Sequence, residues 1–106
     1  MKIIELGTSN YEDVIKKGLV LVDFYADWCG PCKLLEPVLE ALVAKHHDLQ
    51  VVKVKIDEHE ELVASLAIMS VPTLVLYQKG ELQSFKHGFC TLEALEAWLT
   101  EYKNLT

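Results

Sequence analysis

The chain has 106 residues, 51% hydrophobic and 25% charged, which is enough for one core-forming domain over 1–106 without disulfide staples. Low Gly and Pro content (5 and 3 residues) argues against a collagenous or disordered chain. The net charge is −6 and every base is Lys, so the basic patch and Arg fork of a nucleic-acid binder are missing. No apolar run approaches the ~20 residues needed to cross a bilayer. The N-terminal segment Met1-Lys2-Ile3-Ile4-Glu5-Leu6 lacks the pattern of a signal peptide. A cytoplasmic protein without membrane contact is expected.

In chain order, residues 2–6 form a short apolar run. Ser9 and Glu12 have capping-box spacing, followed by a helical face at Tyr11, Val14 and Ile15 that stops at Gly18. Residues 19–25 are almost continuously apolar and β-branched, which predicts a central strand covered on both faces. A long helix is predicted from about Cys29 to His47. Leu34, Leu35, Val38, Leu39, Leu42 and Val43 give it a broad apolar surface, and Pro37 predicts a kink within it. Residues 50–56 form a further strand ending at Asp57. Asp57 and Glu60 repeat the capping-box spacing ahead of a short helix through Leu62, Val63 and Leu66.

Residues 73–78 and 82–87 flank Gln78-Lys79-Gly80-Glu81, a hairpin turn. Thr91 caps a last helix with Leu92, Leu95, Leu99 and Tyr102 on its inner face. The order β-α-β-α-β-α-β-β-α predicts an α/β fold. Its mixed central sheet has three parallel strands, an antiparallel closing hairpin and helices on both faces. Chemistry in such sheets sits beyond the carboxyl end of a central strand. The strand at 19–25 delivers the chain there, to Trp28-Cys29-Gly30-Pro31-Cys32.

There are three cysteines, too few for a disulfide framework. Cys29 would lie at the positive end of a helix dipole, near unpaired N–H groups that favour its thiolate. Cys32 follows nearly one turn later on the same side. Gly30 and Pro31 shape the turn, and a helix start tolerates the N–H that Pro31 lacks. Such a pair can attack a foreign disulfide with the first sulfur and resolve the mixed disulfide with the second. Half of a zinc site has the same spacing, but only Cys90 and scattered histidines could complete it. An inert structural disulfide is the other alternative. The strand before the pair and the helix after it favour redox exchange over both.

The segment Asp23-Phe24-Tyr25-Ala26-Asp27-Trp28-Cys29-Gly30-Pro31-Cys32-Lys33 resembles the active-site segment of the thioredoxin family. The likeness extends over essentially the whole chain. Lys53 matches the family's lysine near the active site, Val71-Pro72-Thr73 its cis-proline loop, Gly80 its hairpin glycine and Gly88 its substrate-groove glycine.

The resemblance implies a thioredoxin fold and a protein-disulfide reductant, monomeric, with no metal or organic cofactor because the electrons reside on Cys29 and Cys32. It implies a thioredoxin reductase as electron source. Ribonucleotide reductase, peroxiredoxins and methionine sulfoxide reductases would be clients. Asp23, with Lys53, would serve proton transfer at Cys32, and its place in an apolar strand predicts a buried carboxyl with a raised pKa. A cis bond before Pro72 would set the Val71 backbone beside the sulfurs, where it could pair with a client strand. Trp28 would form a half-exposed groove wall, continued by Gly30, Pro31, His87, Gly88 and Phe89.

Four positions depart from the family pattern. Tyr25 stands where a second Trp is frequent, His87 replaces a small apolar residue, Phe89 replaces Ala, and Cys90 is extra. Cys90 reads as an apolar staple against Leu95 or as an exposed, oxidisable thiol near the groove, and the lack of a clearly electropositive neighbour favours the staple. Trp98 reads as packing; His46, His47 and His59 read as surface residues, and the acidic run from Asp57 to Glu61 as a solvated helix start. Two other functions share these features: a disulfide oxidase or isomerase of the same fold, and a non-enzymatic binding module. Gly30-Pro31 between the cysteines argues against the first, and the intact cysteine pair against the second.

Overall fold

A computed structural model describes residues 3–103. Its strands are β1 (Ile3–Glu5), β2 (Leu19–Tyr25), β3 (Leu49–Lys55), β4 (Thr73–Gln78) and β5 (Glu81–His87). The helices are α1 (Tyr11–Val14), α2 (Gly30–Lys45), α3 (Glu60–Ser65) and α4 (Leu92–Lys103), with a 3-10 turn at Ile56–Glu58. The expected first strand began at Lys2, which lies outside the described residues.

The strand order is β1-β3-β2-β4-β5. β1 and β2 both pair with β3 in parallel. β4 is antiparallel to β2, and β5 to β4. This is the mixed sheet of the expected thioredoxin fold. Helical crossovers return the chain in the same direction, whereas the tight turn at Lys79 and Gly80 reverses it. Both turn residues have positive φ, 52° and 84°, the conformation of the two-residue hairpin turns that match strand twist.

All seven residues of β2 are buried, because apolar layers cover both of its faces. On one face Leu19 and Leu21 pack with Leu35, Leu39 and Leu42 of α2 and with Leu95, Trp98 and Leu99 of α4. On the other, Val20, Val22 and Phe24 pack with Tyr11 of α1 and Leu62 and Val63 of α3. Strand side chains alternate between faces. Asp23 and Tyr25 therefore share the α2 side with Leu19 and Leu21.

Several expectations are corrected. Asn10, not Ser9, caps α1: its side chain accepts from the Asp13 N–H. Asp57 lies inside the 3-10 turn, and His59 precedes α3 without a side-chain cap. An intervening turn thus displaces the helix start that the spacing suggested. Leu34 is exposed, because the apolar surface of α2 is wider than the sheet it covers. The long helix, expected from about Cys29 to His47, runs from Gly30 to Lys45 with Pro37 inside it. Thr91 does cap α4, accepting from the Ala94 N–H.

His46 is not a free surface residue. Its Nε2 lies 2.9 Å from Glu96 Oε2, which Lys45 also approaches at 3.0 Å, tying the end of α2 to α4. Trp98 packs as expected, and its indole N–H donates to Ser84 Oγ.

Candidate active site

β2 ends at Tyr25, and the chain passes through Ala26, Asp27 and Trp28 into α2. Lys55, opposite Tyr25 on β3, reaches Asp27 at 3.1 Å and pins this connection. The hydrogen bond to Asp27 is the main reason why the Lys55 ammonium holds its proton above the usual lysine range. Cys29 is the N-cap of α2, with Pro31 in the first turn. The Cys32 backbone N–H donates to Cys29 Sγ at 3.1 Å. A sulfur thus takes the place that a Ser or Asp oxygen commonly fills at a helix start.

Cys29 and Cys32 are joined as a disulfide, with Cα atoms 5.3 Å apart. Both are buried, whereas Trp28 immediately before them is 78% exposed. That is more than the half-exposed wall expected, since nothing covers the outer side of the indole among the described residues. Gly30 and Pro31 are exposed beside it. Among the described residues no group of three or more His, Cys, Asp or Glu is arranged to hold a metal ion.

The Val71–Pro72 peptide bond is cis. The Val71 carbonyl oxygen lies 3.7 Å from Cys29 Sγ. Gly88, at φ 83°, donates its N–H to the Pro72 carbonyl at 2.8 Å, bringing the end of β5 against this loop. A side chain at residue 88 would be strained by that φ. Phe89 follows, 46% exposed.

His87 pairs with Thr73 across β4 and β5. Thr73 Oγ1 lies 2.7 Å from the Ser70 carbonyl and 3.2 Å from His87 Nδ1. The carbonyl can only accept, so the single Thr73 hydroxyl proton goes to it. Thr73 must then accept from a proton on His87 Nδ1. The imidazole also stacks on Phe85, with centroids 6.3 Å apart and planes 5° from parallel. Met69, in the same loop as Ser70, is 92% exposed.

Below the disulfide, register places Glu5, Lys53, Asp23, Leu74 and Lys86 in one row across the five strands. Asp23 is buried, and neither carboxylate oxygen has a hydrogen-bond partner among the described residues. Its pKa is pushed up to about 7, chiefly by burial. The Lys53 cation opposes that rise, while Glu36 and Glu5 add to it.

Lys53 does not bond Asp23. Its Nζ is 2.9 Å from Glu36 Oε2 on α2 and 4.4 Å above the Tyr25 ring. The Tyr25 hydroxyl donates to the Glu5 carboxylate, 2.9 Å from each oxygen. Burial and this bond raise the Tyr25 pKa above the ordinary phenol range.

The structure thus brings Cys29, Cys32, Trp28, Val71 and Pro72 together, with Gly88 against the same loop. Glu36, Glu5 and Lys55 were missed in the sequence. One signal for Glu36 was available: it lies four residues after Cys32, on the same side of the helix. Glu5 could be found only from the parallel register.

Cys90 is buried among Leu95 and its neighbours in the α2-side core. Burial raises its thiol pKa, outweighing the opposing charge of Lys86.

The thioredoxin family profile matches residues 2–101. A thioredoxin from Bacillus subtilis is 37% identical over 103 residues, covering 96% of this chain and 99% of its own. Among solved structures, a mutant thioredoxin from Halobacterium salinarum has a TM-score of 0.85 at 38% identity, over 95% of this chain and 90% of its own. A chain from work on thiol resolution in a yeast mitochondrial 1-Cys peroxiredoxin via glutathione and thioredoxin systems has a TM-score of 0.84 at 31% identity. It covers 93% of this chain and 94% of its own.

Proposed function

Because this chain belongs to the thioredoxin family and is a protein-disulfide oxidoreductase with a Cys29–Cys32 active-site pair, we propose that Cys29 is its nucleophile and Cys32 its resolving thiol. The observation that carries this is the Cys32 N–H directed at Cys29 Sγ from the first turn of α2. In the reduced protein that donor and the helix dipole favour a thiolate at Cys29.

The Cys29 thiolate attacks one sulfur of a client disulfide, forming a mixed disulfide and expelling the other client sulfur as a thiolate. Cys32 then gives up its proton and attacks Cys29 Sγ. The internal disulfide closes and the second client sulfur leaves. Two electrons pass to the client, and its two sulfurs end as thiols. Asp23 is the acceptor for the Cys32 proton. A carboxyl that titrates near pH 7 can both take up and return a proton at neutral pH. Lys53, its register neighbour, sets the charge around it.

Clients dock over Trp28, Gly30, Pro31, Val71, Pro72, His87, Gly88 and Phe89. The Val71 backbone pairs with the client strand, as an added β-strand does. A thioredoxin reductase returns electrons to the pair. Ribonucleotide reductase, peroxiredoxins and methionine sulfoxide reductases are the client classes, served by a cytoplasmic monomer in electron transport.

Insulin-disulfide reduction tests the assignment. Cys29→Ser should abolish turnover, and Cys32→Ser should accumulate mixed disulfides through Cys29. Alkylation of Cys32 before Cys29 in the reduced protein would reverse the two roles.

A further inference from the structure

Asp23 and Lys53 oppose each other on adjacent parallel strands, on the side of the sheet that α2 covers. A cation so placed would ordinarily turn toward the carboxylate. Here its ammonium bonds Glu36 at 2.9 Å and rests over the Tyr25 ring. That ring is fixed from its far end by the Glu5 carboxylate.

We propose that Glu36 is a positioning residue for proton transfer at the dithiol, holding the Lys53 ammonium away from the Asp23 carboxylate. This rests on the reading of Asp23 as acceptor of the Cys32 proton. The charged and titratable groups around Asp23 are few. β3 supplies Lys53, β1 supplies Glu5, β2 itself supplies Tyr25, and α2 supplies Glu36 with Cys32 one turn before it. β4 opposes Asp23 with Leu74, beyond which Lys86 of β5 turns over the Trp98 ring at 5.7 Å. Lys53 is therefore the cation nearest in the row, and Glu36 is the anion that occupies it.

Two consequences follow from removing the Glu36 charge, and they have the same sign. One anion near Asp23 disappears, and the Lys53 ammonium becomes free to approach the carboxylate. Both favour the ionised form of Asp23. An oppositely charged group within about 4–6 Å lowers a carboxyl midpoint by roughly one pH unit or more. Glu36 is 49% exposed, and Gln preserves its shape, so the variant keeps the packing of α2.

The test is the carboxyl titration of Asp23, followed by carbon NMR in the disulfide form. Glu36→Gln should lower its midpoint by about one pH unit, a tenfold loss of proton affinity. In a Lys53→Met background the same change should shift the midpoint by less than half as much. The proposal is overturned if Glu36→Gln leaves the midpoint in place. It is equally overturned if the shift is the same with and without Lys53, because Glu36 would then act as a bare charge. Failure of the underlying reading looks different: Asp23→Asn would leave insulin reduction unchanged, whatever the titration does.

Discussion

Thr73 accepts a hydrogen bond from His87, because its own proton is already given to the Ser70 carbonyl. The neutral imidazole must therefore carry its proton on Nδ1 and leave Nε2 as an acceptor. Nitrogen NMR shifts at pH 8 should show the Nδ1–H form in majority. A majority Nε2–H form would break this chain of bonds. His87→Val removes both the bond to Thr73 and the ring stacked on Phe85. It should change kcat/KM several-fold on some clients and leave others unchanged, and a panel of disulfide proteins assayed between pH 5.5 and 8 would read this. Equal rates on every client would leave His87 without a role in docking.

Asp23 should destabilise the fold at neutral pH. Its folded pKa of about 7 exceeds the unfolded value of 3.8. The unfolded chain therefore ionises first as pH rises. The penalty is absent below the unfolded pKa, grows between about pH 4 and 7, and levels off above. At about 1.4 kcal/mol per pH unit, its upper bound is roughly 4 kcal/mol. Asp23→Asn should raise the unfolding free energy at pH 8 by about 2–4 kcal/mol, since the buried amide retains some desolvation cost. At pH 4 the gain should nearly vanish. Denaturant melts at pH 4, 6 and 8 would check this, and a gain independent of pH would contradict it.

Glu96 has the opposite sign. Its hydrogen bond to His46, then that to Lys45, holds its carboxyl below the usual range. The stabilisation is present above the unfolded carboxylate pKa and is lost as pH falls through the lowered folded value. Glu96→Gln should lower Tm slightly at pH 7 and have no effect near pH 2. An undiminished difference in acid would mean that the side chain acts through packing instead.

Cys90 should be silent in the native disulfide form. Burial and a raised thiol pKa both suppress its thiolate. A chromogenic thiol reagent at pH 8 should find no fast-reacting thiol before unfolding and one after. Immediate reaction of one thiol in the folded protein would place Cys90 on an accessible path.

Much of this architecture was legible because its signals are local. The run from Leu19 to Phe24, apolar but for Asp23, calls for helices on both faces, and all of β2 is indeed buried. Cys29 and Cys32 lie close in sequence, so their spacing carries their geometry. Capping was less legible: Ser9 and Asp57 have the right spacing, but a neighbouring Asn10 and a 3-10 turn take the helix starts. The polar row was legible only in part, through the resemblance that pairs Asp23 with Lys53. Glu5, Lys53 and Asp23 are brought together by strand register, and register depends on crossovers whose exact length the pattern does not fix. The bond from Lys53 to Glu36 needs, in addition, the packing of α2 over that row.

Cys29, the proposed nucleophile, is also the cap of α2. When the Cys29 thiolate is handed to a client, its sulfur loses its charge, and the Cys32 amide keeps only the weaker acceptor of a disulfide sulfur. The first turn of the helix should then exchange its amide hydrogens faster in the mixed disulfide than in the dithiol. Chemistry at one atom is thereby transmitted to the backbone that carries Cys32. Loosening that turn would free Cys32 to move at the step when, in the proposed exchange, it attacks.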